Sequence, residues 1–246
     1  MGRLHRNKHL VLVLTMVCAY IVSSASHGTP IARIVSNSIV SVIAFVVLAV
    51  VFEHQRHRVI AFVFAIAGVL SAWAHYALPA DRFEVSLSVL HYALLATFLG
   101  YSVAVILGNI FRKGTVSTDD VMGAVGGYLI AGAAWSSLYA LVQTLEPDAF
   151  ALPAAFANQA LDWSGRTAVF NYFSIVTLTT VGYGDITPLH APAPALVMLE
   201  AVFGQFYIAV VVAQLVGARL SNPVPQQNGD SQLHLVEPSI RGGKTK

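Results

Sequence analysis

The sequence predicts an all-α membrane protein that has six transmembrane helices and one re-entrant segment between the fifth and the sixth. Three observations carry this prediction. Of the 246 residues, 56% are hydrophobic and only 11% are charged, whereas charged residues make up about 25% of an ordinary soluble domain. Six apolar runs are long enough to cross a hydrocarbon core about 30 Å thick. The interval 146–192 is too broken by proline and polar residues to cross it.

Each apolar run supplies about 20 residues, which is the length that a helix needs to span a bilayer. The runs centre on residues 9–26, 32–52, 58–77, 84–111, 120–145 and 193–219. After Leu220 the sequence becomes SNPVPQQNGDSQ and ends in RGGKTK. This stretch carries too little apolar surface to fold alone, so we expect residues 221–246 to form a disordered cytoplasmic tail.

The positions of the basic residues predict the orientation in the membrane, because short cytoplasmic loops are rich in Lys and Arg. With the N-terminus in the cytoplasm, only Arg33, Arg82 and Arg166 lie outside. The inner side then holds Arg3, Arg6, Lys8, Arg56, Arg58, Arg112, Lys113, Arg219, Arg241, Lys244 and Lys246. We therefore expect a multi-pass protein of a plasma membrane or cell inner membrane, with both termini cytoplasmic and the interval 146–192 outside.

The first segment has a second interpretation. MGRLHRNKHL, VLVLTMVCAYIV and SSASHG follow one another as the basic, apolar and small-residue regions of a cleavable signal peptide do. Cleavage would leave the rest of the topology unchanged, because the new N-terminus would already lie outside.

Composition and motifs also exclude several classes. The formal net charge is only +2, and the basic residues form small clusters between apolar runs, which argues against a nucleic-acid partner. The single cysteine, Cys18, cannot build a disulfide framework or a thiolate metal site within one chain. No H-E-x-x-H or G-x-S-x-G motif occurs, so we expect no enzyme activity and no cofactor. Membrane lipid is an expected partner.

The interval 146–192 contains a short predicted helix and a glycine-rich loop. Asp162 and Ser164 are N-cap candidates, and residues 166–180 are predicted to be helical. The C-terminal end of such a half-helix, with its partial negative charge, would point toward the middle of the membrane and favour a cation. The glycines at 182 and 184 permit dihedral angles that let successive carbonyl groups point the same way. Together these features predict a cation pathway.

The sequence TTVGYGD, residues 179–185, resembles the selectivity filter of the tetrameric pore-loop potassium channel family. The resemblance implies a homotetramer with K⁺ as the permeant ion. It also implies stacked ion sites formed by the carbonyl groups of Thr180, Val181, Gly182 and Tyr183 with the Thr180 hydroxyl. The residues expected to shape or support this filter are Thr179, Gly184 and Asp185, together with Tyr172 and Phe173 at the positions of the family's aromatic pair.

The resemblance also implies a division of the chain. Residues 1–112 would form a sensor-like bundle of four transmembrane helices. Residues 113–220 would form a pore domain with an outer helix, a pore helix, a filter and an inner helix. No Lys or Arg lies between Arg82 and Arg112, whereas steep voltage gating needs several charges in this region. We therefore expect a channel that is not voltage-gated.

Four single residues keep two interpretations each. Glu200 is either a structural brace that supports the filter, with Thr177 or Thr179 as candidate partners, or a proton site for gating. Gly204 is either a gating hinge or a point of close packing. His75 and His91 are either hydrogen-bonded packing residues or pH sensors.

Other functions use the same scaffold differently. A non-conducting receptor or regulatory subunit would keep the helices without passing ions, although the intact glycines argue against it. A coupled transporter usually has two broken helices in internal repeats, and only one re-entrant element is visible here.

Overall fold

The computed structural model describes residues 8–25, 30–52, 55–77, 80–112, 117–159 and 163–220. The predicted tail, 221–246, lies outside these ranges. The described chain is mostly helical. Its elements are α1 Lys8–Ala25, α2 Pro30–Val51, α3 Gln55–Ala77, α4 Ala80–Arg112, α5 Thr118–Leu145, β1 Phe150–Ala151, α6 Ala154–Gln159, α7 Trp163–Leu178, β2 Thr187–Pro188 and α8 Ala193–Leu220.

Each of the six predicted apolar runs corresponds to a helix. Among the described residues, four helices are long and apolar enough to cross a membrane, within α3, α4, α5 and α8. Two shorter apolar stretches, Lys8–Ser24 and Asn37–Val51, lie in α1 and α2. These four candidate spans therefore support the prediction of a membrane protein.

The short helix α7 differs from its predicted bounds. It begins at Trp163 and ends at Leu178, whereas residues 166–180 were predicted to be helical. Ser164 therefore lies within the helix and is not its cap, and Asp162 is outside the described residues. The helix ends two residues early because Thr180 has a φ of 61°, which is a left-handed conformation that a right-handed helix cannot contain.

Helix α5 is the central element of the fold. It begins with a capping box, in which Asp120 N donates to Ser117 Oγ and Ser117 N donates to Asp120 Oδ2. In the 18-residue apolar stretch that makes α5 a candidate span, 61% of the residues are buried inside the chain. The corresponding share in α8 is 22%. Helices α1, α4 and α7 all pack on α5, and one continuous apolar core includes residues from both sides of position 113.

Glycines on α5 let its neighbours approach closely. A Cβ atom at Gly126 would lie 2.9 Å from Leu12 Cδ2 of α1, and one at Gly127 would lie 2.6 Å from Tyr207 Oη of α8. Real Cβ atoms do not approach other atoms this closely. These positions therefore accept α1 and α8 only because they lack a side chain.

Helix α1 contacts α5 at three positions along its length. His9 N and His9 Nδ1 contact the carboxylate of Asp119 at 3.2 and 2.7 Å. Leu12 is fully buried, and Tyr20 Oη donates to the Leu129 carbonyl oxygen at 2.9 Å. These contacts pack α1 along α5, while cleavage of the first segment stays an open prediction. They also place the starts of α1 and α5 on the same side, as the alternating path requires.

We predict that Gly127→Ala destabilises the protein by about 1–3 kcal/mol, a typical cost of overpacking. The new Cβ atom displaces the Tyr207 phenol, which donates to the Ala124 carbonyl oxygen at 2.8 Å. Unfolding of the purified protein in detergent, followed by circular dichroism, measures the change.

Gly108→Ala is the matched control, because nothing lies within 4 Å of a Cβ atom there. It should be neutral or stabilising by up to about 1 kcal/mol through helix propensity. Equal midpoints for both variants would contradict the proposed close contact.

Candidate functional site

The candidate site is the loop of residues 179–185, which we name the signature loop. It follows the C-terminal end of α7. The last α7 carbonyl, Leu178 O, accepts a hydrogen bond of 2.8 Å from Tyr128 Oη of α5, and it lies directly against Gly204 of α8. At 1.5 Å per residue, Tyr128 lies about 15 Å along α5 and Gly204 about 16 Å along α8. The end of α7 is therefore held between the middle portions of two long helices.

The backbone of the signature loop alternates in handedness. The φ angles of Thr180, Gly182 and Gly184 are 61°, 55° and 76°, and no other described residue has a positive φ. Alternation of right- and left-handed residues turns successive N–H groups to one side of the chain. In agreement, Val181 N and Gly182 N both donate to Val176 O, at 2.9 and 3.3 Å.

The loop carbonyl groups have no hydrogen-bond donors in the described part of the chain. No hydrogen bond reaches the oxygens of Thr180, Val181, Gly182 or Tyr183, or the Thr180 hydroxyl. Folded proteins almost always pair their buried backbone acceptors, whereas residues 180–183 are exposed in the single chain. Carbonyl oxygens without donors in the described chain are available to water or to a cation.

Thr180 is a feature that sequence reasoning missed. The glycines at 182 and 184 explain their own positive φ angles, but a β-branched residue in the left-handed region is an outlier and costs about 1–2 kcal/mol. Such strain persists only where surrounding contacts enforce it. Thr180 lies two residues before Gly182, as Gly182 lies two residues before Gly184. This two-residue spacing was the signal in the sequence that could have predicted a positive φ at Thr180.

The outer end of the signature loop is held by a tyrosine on α7. Tyr172 Oη donates to Asp185 Oδ2 at 2.6 Å, and Asp185 Oδ1 accepts from Ile186 N at 3.0 Å. The hydrogen bond to Asp185, with a smaller effect of burial, raises the pKa of Tyr172 to about 12. The phenol therefore remains a donor at neutral pH.

Phe173, the neighbour of Tyr172, serves a different purpose. It is buried in an aromatic cluster with Tyr139, Phe150 and Phe170, in which its ring lies 5.2 Å from that of Tyr139 and 5.6 Å from that of Phe150. The two residues predicted as an aromatic pair thus have separate roles: Tyr172 binds the loop, and Phe173 anchors α7 to α5.

A two-stranded sheet, also missed by the sequence analysis, holds the segment after the loop. Strands β1 and β2 pair antiparallel, with Phe150 opposite Pro188 and Ala151 opposite Thr187. Leu189 N extends the pairing by donating to Ala149 O at 2.8 Å. The sheet connects the segment after α5 to the segment before α8.

Glu200 has partners other than the predicted ones. Its Oε2 accepts a hydrogen bond from Tyr139 Oη of α5, and its Oε1 contacts Ser174 Oγ of α7. The threonines considered from sequence do not bind it, and Thr179 Oγ1 instead donates to Ile175 O. The prediction of Thr177 or Thr179 as partner was wrong, because Ser174 and Tyr139 face α8 where the three helices meet.

Gly204 lies at a point of close packing. A Cβ atom at this position would lie 2.5 Å from Leu178 O, a backbone atom that cannot turn aside. The packing interpretation therefore has a structural basis, while the hinge remains a prediction.

The two histidines lie on α3 and α4, which do not carry the signature loop. His75 Nδ1 contacts Ser71 O at 3.0 Å, and His75 Nε2 contacts Ser88 Oγ at 3.3 Å. His91 Nδ1 contacts Ser71 Oγ at 3.0 Å. Both side chains are hydrogen-bonded, as the packing interpretation requires.

A family model described as an ion channel matches residues 127–219. The matched range contains most of α5, all of α7, the signature loop and nearly all of α8. The match supports an ion channel. It therefore indicates a transport protein of the membrane and not an enzyme. No curated protein matches the chain.

We predict that Gly204→Ala destabilises the protein by about 1–3 kcal/mol, because the new Cβ atom overlaps the Leu178 carbonyl group. Gly217→Ala on the same helix is the control, since a Cβ atom there has nothing within 4 Å. Detergent unfolding midpoints measure both variants. A Gly204→Ala variant as stable as Gly217→Ala would contradict the close packing and favour the hinge.

We predict that Tyr172→Phe costs about 1.5–3 kcal/mol, the usual value of a hydrogen bond to a charged group. Asp185→Asn removes the charge from the same contact. If the two groups interact as the structure indicates, the costs of the single variants are not additive in the double variant. Additive costs, measured by the same unfolding assay, would show that the Tyr172–Asp185 hydrogen bond contributes nothing.

Proposed function

We propose that this chain is the subunit of a homotetrameric, potassium-selective channel that conducts K⁺ passively. The observation that carries the proposal is the row of carbonyl oxygens at Thr180, Val181, Gly182 and Tyr183, which receive no hydrogen bond from the described residues. Four such rows around an axis can replace the hydration shell of K⁺. The Thr180 hydroxyl would complete the innermost site.

The exposure of the signature loop supports assembly into a tetramer. The side chains of Val181 and Tyr183 are 53% and 70% exposed in one chain. A single chain leaves one side of any ion at the carbonyl row without ligands, whereas a closed ring of four copies surrounds it. The Tyr183 rings would then pack against neighbouring subunits, away from the ion.

The placement of α7 supports a re-entrant pore helix and a cation as the permeant ion. Near the start of α7, Arg166 Nη1 donates to Thr144 Oγ1 at 2.7 Å, at the far end of α5. The other end of α7 reaches the middle portions of α5 and α8 through Leu178. The helix thus enters from one face and directs its partial negative charge to mid-depth, which stabilises a cation there.

The architecture we propose has six spans, with α1–α4 as a sensor-like bundle in residues 1–112 and the pore domain in residues 113–220. The absence of Lys and Arg between Arg82 and Arg112 leaves α4 without gating charge. The distribution of basic residues supports cytoplasmic termini. We therefore propose weak voltage dependence.

The test is ion flux from purified full-length protein in liposomes. We predict K⁺ uptake at least about tenfold faster than Na⁺ uptake, a preference that corresponds to about 1.4 kcal/mol. Gly182→Ala should reduce K⁺ flux by at least about tenfold, because alanine resists the φ of 55° that Gly182 adopts. Gly217→Ala is the control and should conduct.

Two outcomes would oppose the proposal. Equal K⁺ and Na⁺ flux would reject the selectivity of the carbonyl sites. A complete lack of flux, with the protein folded and tetrameric, would favour a non-conducting receptor or regulatory subunit. Repetition at several membrane voltages tests the gating expectation, and a steep voltage dependence would contradict the assignment of α4.

A further inference from the structure

Glu200 is the one acidic side chain that the described chain buries completely, with an exposed fraction of 0%. Tyr139 and Ser174, which contact its two oxygens, are also 0% exposed. These three residues join α5, α7 and α8 immediately behind the helix that carries the signature loop. The protonation of this carboxyl group decides how the three helices are connected.

The hydrogen bonds of the cluster can be counted against the available protons. Ser174 Oγ lies 2.8 Å from Gly132 O and also contacts Glu200 Oε1. A carbonyl oxygen and an ionised carboxylate only accept hydrogen bonds, and a serine hydroxyl has a single proton to donate. With an ionised Glu200, Ser174 would therefore face two acceptors with one proton.

A protonated Glu200 removes this conflict. The carboxylic acid donates from Oε1 to Ser174 Oγ, and Ser174 in turn donates to Gly132 O. Tyr139 Oη donates to the other carboxyl oxygen, Oε2. The three contacts then have three protons, and every polar atom of the cluster has a partner.

The surroundings of Glu200 favour the same state. Burial takes a carboxylate out of water and favours the neutral acid unless a cation or enough hydrogen-bond donors offset that loss. Only two hydroxyl groups contact Glu200, and no ion pair reaches it among the described residues. The ionisable side chains that act on it electrostatically are phenols, Tyr20 from α1 and Tyr128 and Tyr139 from α5. Neutral phenols supply dipoles and no positive charge.

We propose that Glu200 keeps its proton in the folded protein and acts as a hydrogen-bond donor that positions α7 against α5. Loss of this proton to water leaves Ser174 with one proton for two acceptors and places an unpaired negative charge in a dry site. The contact between α7 and α5 at Gly132 is then weakened. An effect on ion flux rests on the proposed function, whereas the protonation itself does not.

Infrared spectroscopy of the full-length protein in lipid vesicles at pH 7 tests the protonation directly. The wild-type spectrum should contain a carboxylic acid C=O band that is lost in Glu200→Gln. Glu146→Gln is the control, because Glu146 is exposed on the protein surface, and it should leave the carboxylic acid band unchanged. Loss of a carboxylate band in Glu200→Gln, with no change in the acid band, would overturn the proposal.

The pH dependence of unfolding provides an independent test. In the unfolded chain a glutamate is ionised above about pH 4.3, so unfolding of the wild type releases one proton that the folded protein holds. Between about pH 5.5 and 7.5, the unfolding equilibrium constant of the wild type should therefore rise about tenfold per pH unit relative to Glu200→Gln. Parallel pH profiles for the two proteins would mean that Glu200 is ionised when folded.

Glu200→Gln also separates this inference from the proposed function. Glutamine can donate to Ser174 and accept from Tyr139, so the variant should keep wild-type flux at pH 7, whereas Glu200→Ala should not. If no variant conducts, the channel assignment fails while the infrared and unfolding results still decide the protonation. If Glu200→Gln unfolds at pH 7 where the wild type is stable, the positioning role is wrong.

Discussion

The structure depends on the backbone of the signature loop, whose carbonyl oxygens receive no hydrogen bond from the described residues. In the signature loop, φ is positive at every second residue from Thr180 to Gly184, and Val181 N and Gly182 N both donate to Val176 O. An acceptor removed from water without a hydrogen bond costs free energy, and irregular backbone at membrane depth persists only inside protein or beside a wet cavity. The unpaired loop acceptors therefore need water or ions as partners. The surrounding contacts keep the loop from relaxing into an ordinary turn.

Those contacts act at both ends of the loop. At the inner end, Tyr128 binds the Leu178 carbonyl group, and Gly204 allows α8 to lie directly against it. At the outer end, Tyr172 binds Asp185, and the β1–β2 pair holds the following segment. Because Thr180 adopts an unfavourable φ of 61°, a loop anchored at only one end could release that strain by unwinding. Anchorage at both ends removes this freedom, so the loop is held by contacts with α5, α7 and α8 and with the β1–β2 pair.

The sequence predicts features that depend on neighbouring residues and misses those that depend on distant ones. The six apolar runs were found because helix length and hydropathy are local properties, and they agree with the helices to within a few residues. The loop was identified from its glycines and its motif. The partners of Glu200 were wrong because Tyr139 is 61 positions away and Ser174 is 26 positions away, and no local pattern joins them. The β1–β2 pair was not predicted, because two residues on each strand give no periodic signal. The end of α7 was misplaced because Thr180 itself has no left-handed preference.

The arrangement of α5 also determines how the first four helices can influence the signature loop. Only residues 113–117 separate α4 from α5 in the sequence, and α4 packs directly along α5. The two helices are therefore coupled by side-by-side packing. At Gly132 a Cβ atom would lie 2.9 Å from Tyr20 Oη of α1 and 2.8 Å from Ile175 Cδ1 of α7. The Gly132 carbonyl oxygen also accepts from Ser174. Since close-packed interiors transmit displacements, a shift of α1 at this point would reach α7 through a single residue. In the channel we propose, the first four helices would therefore be coupled to the signature loop through packing and not through gating charge.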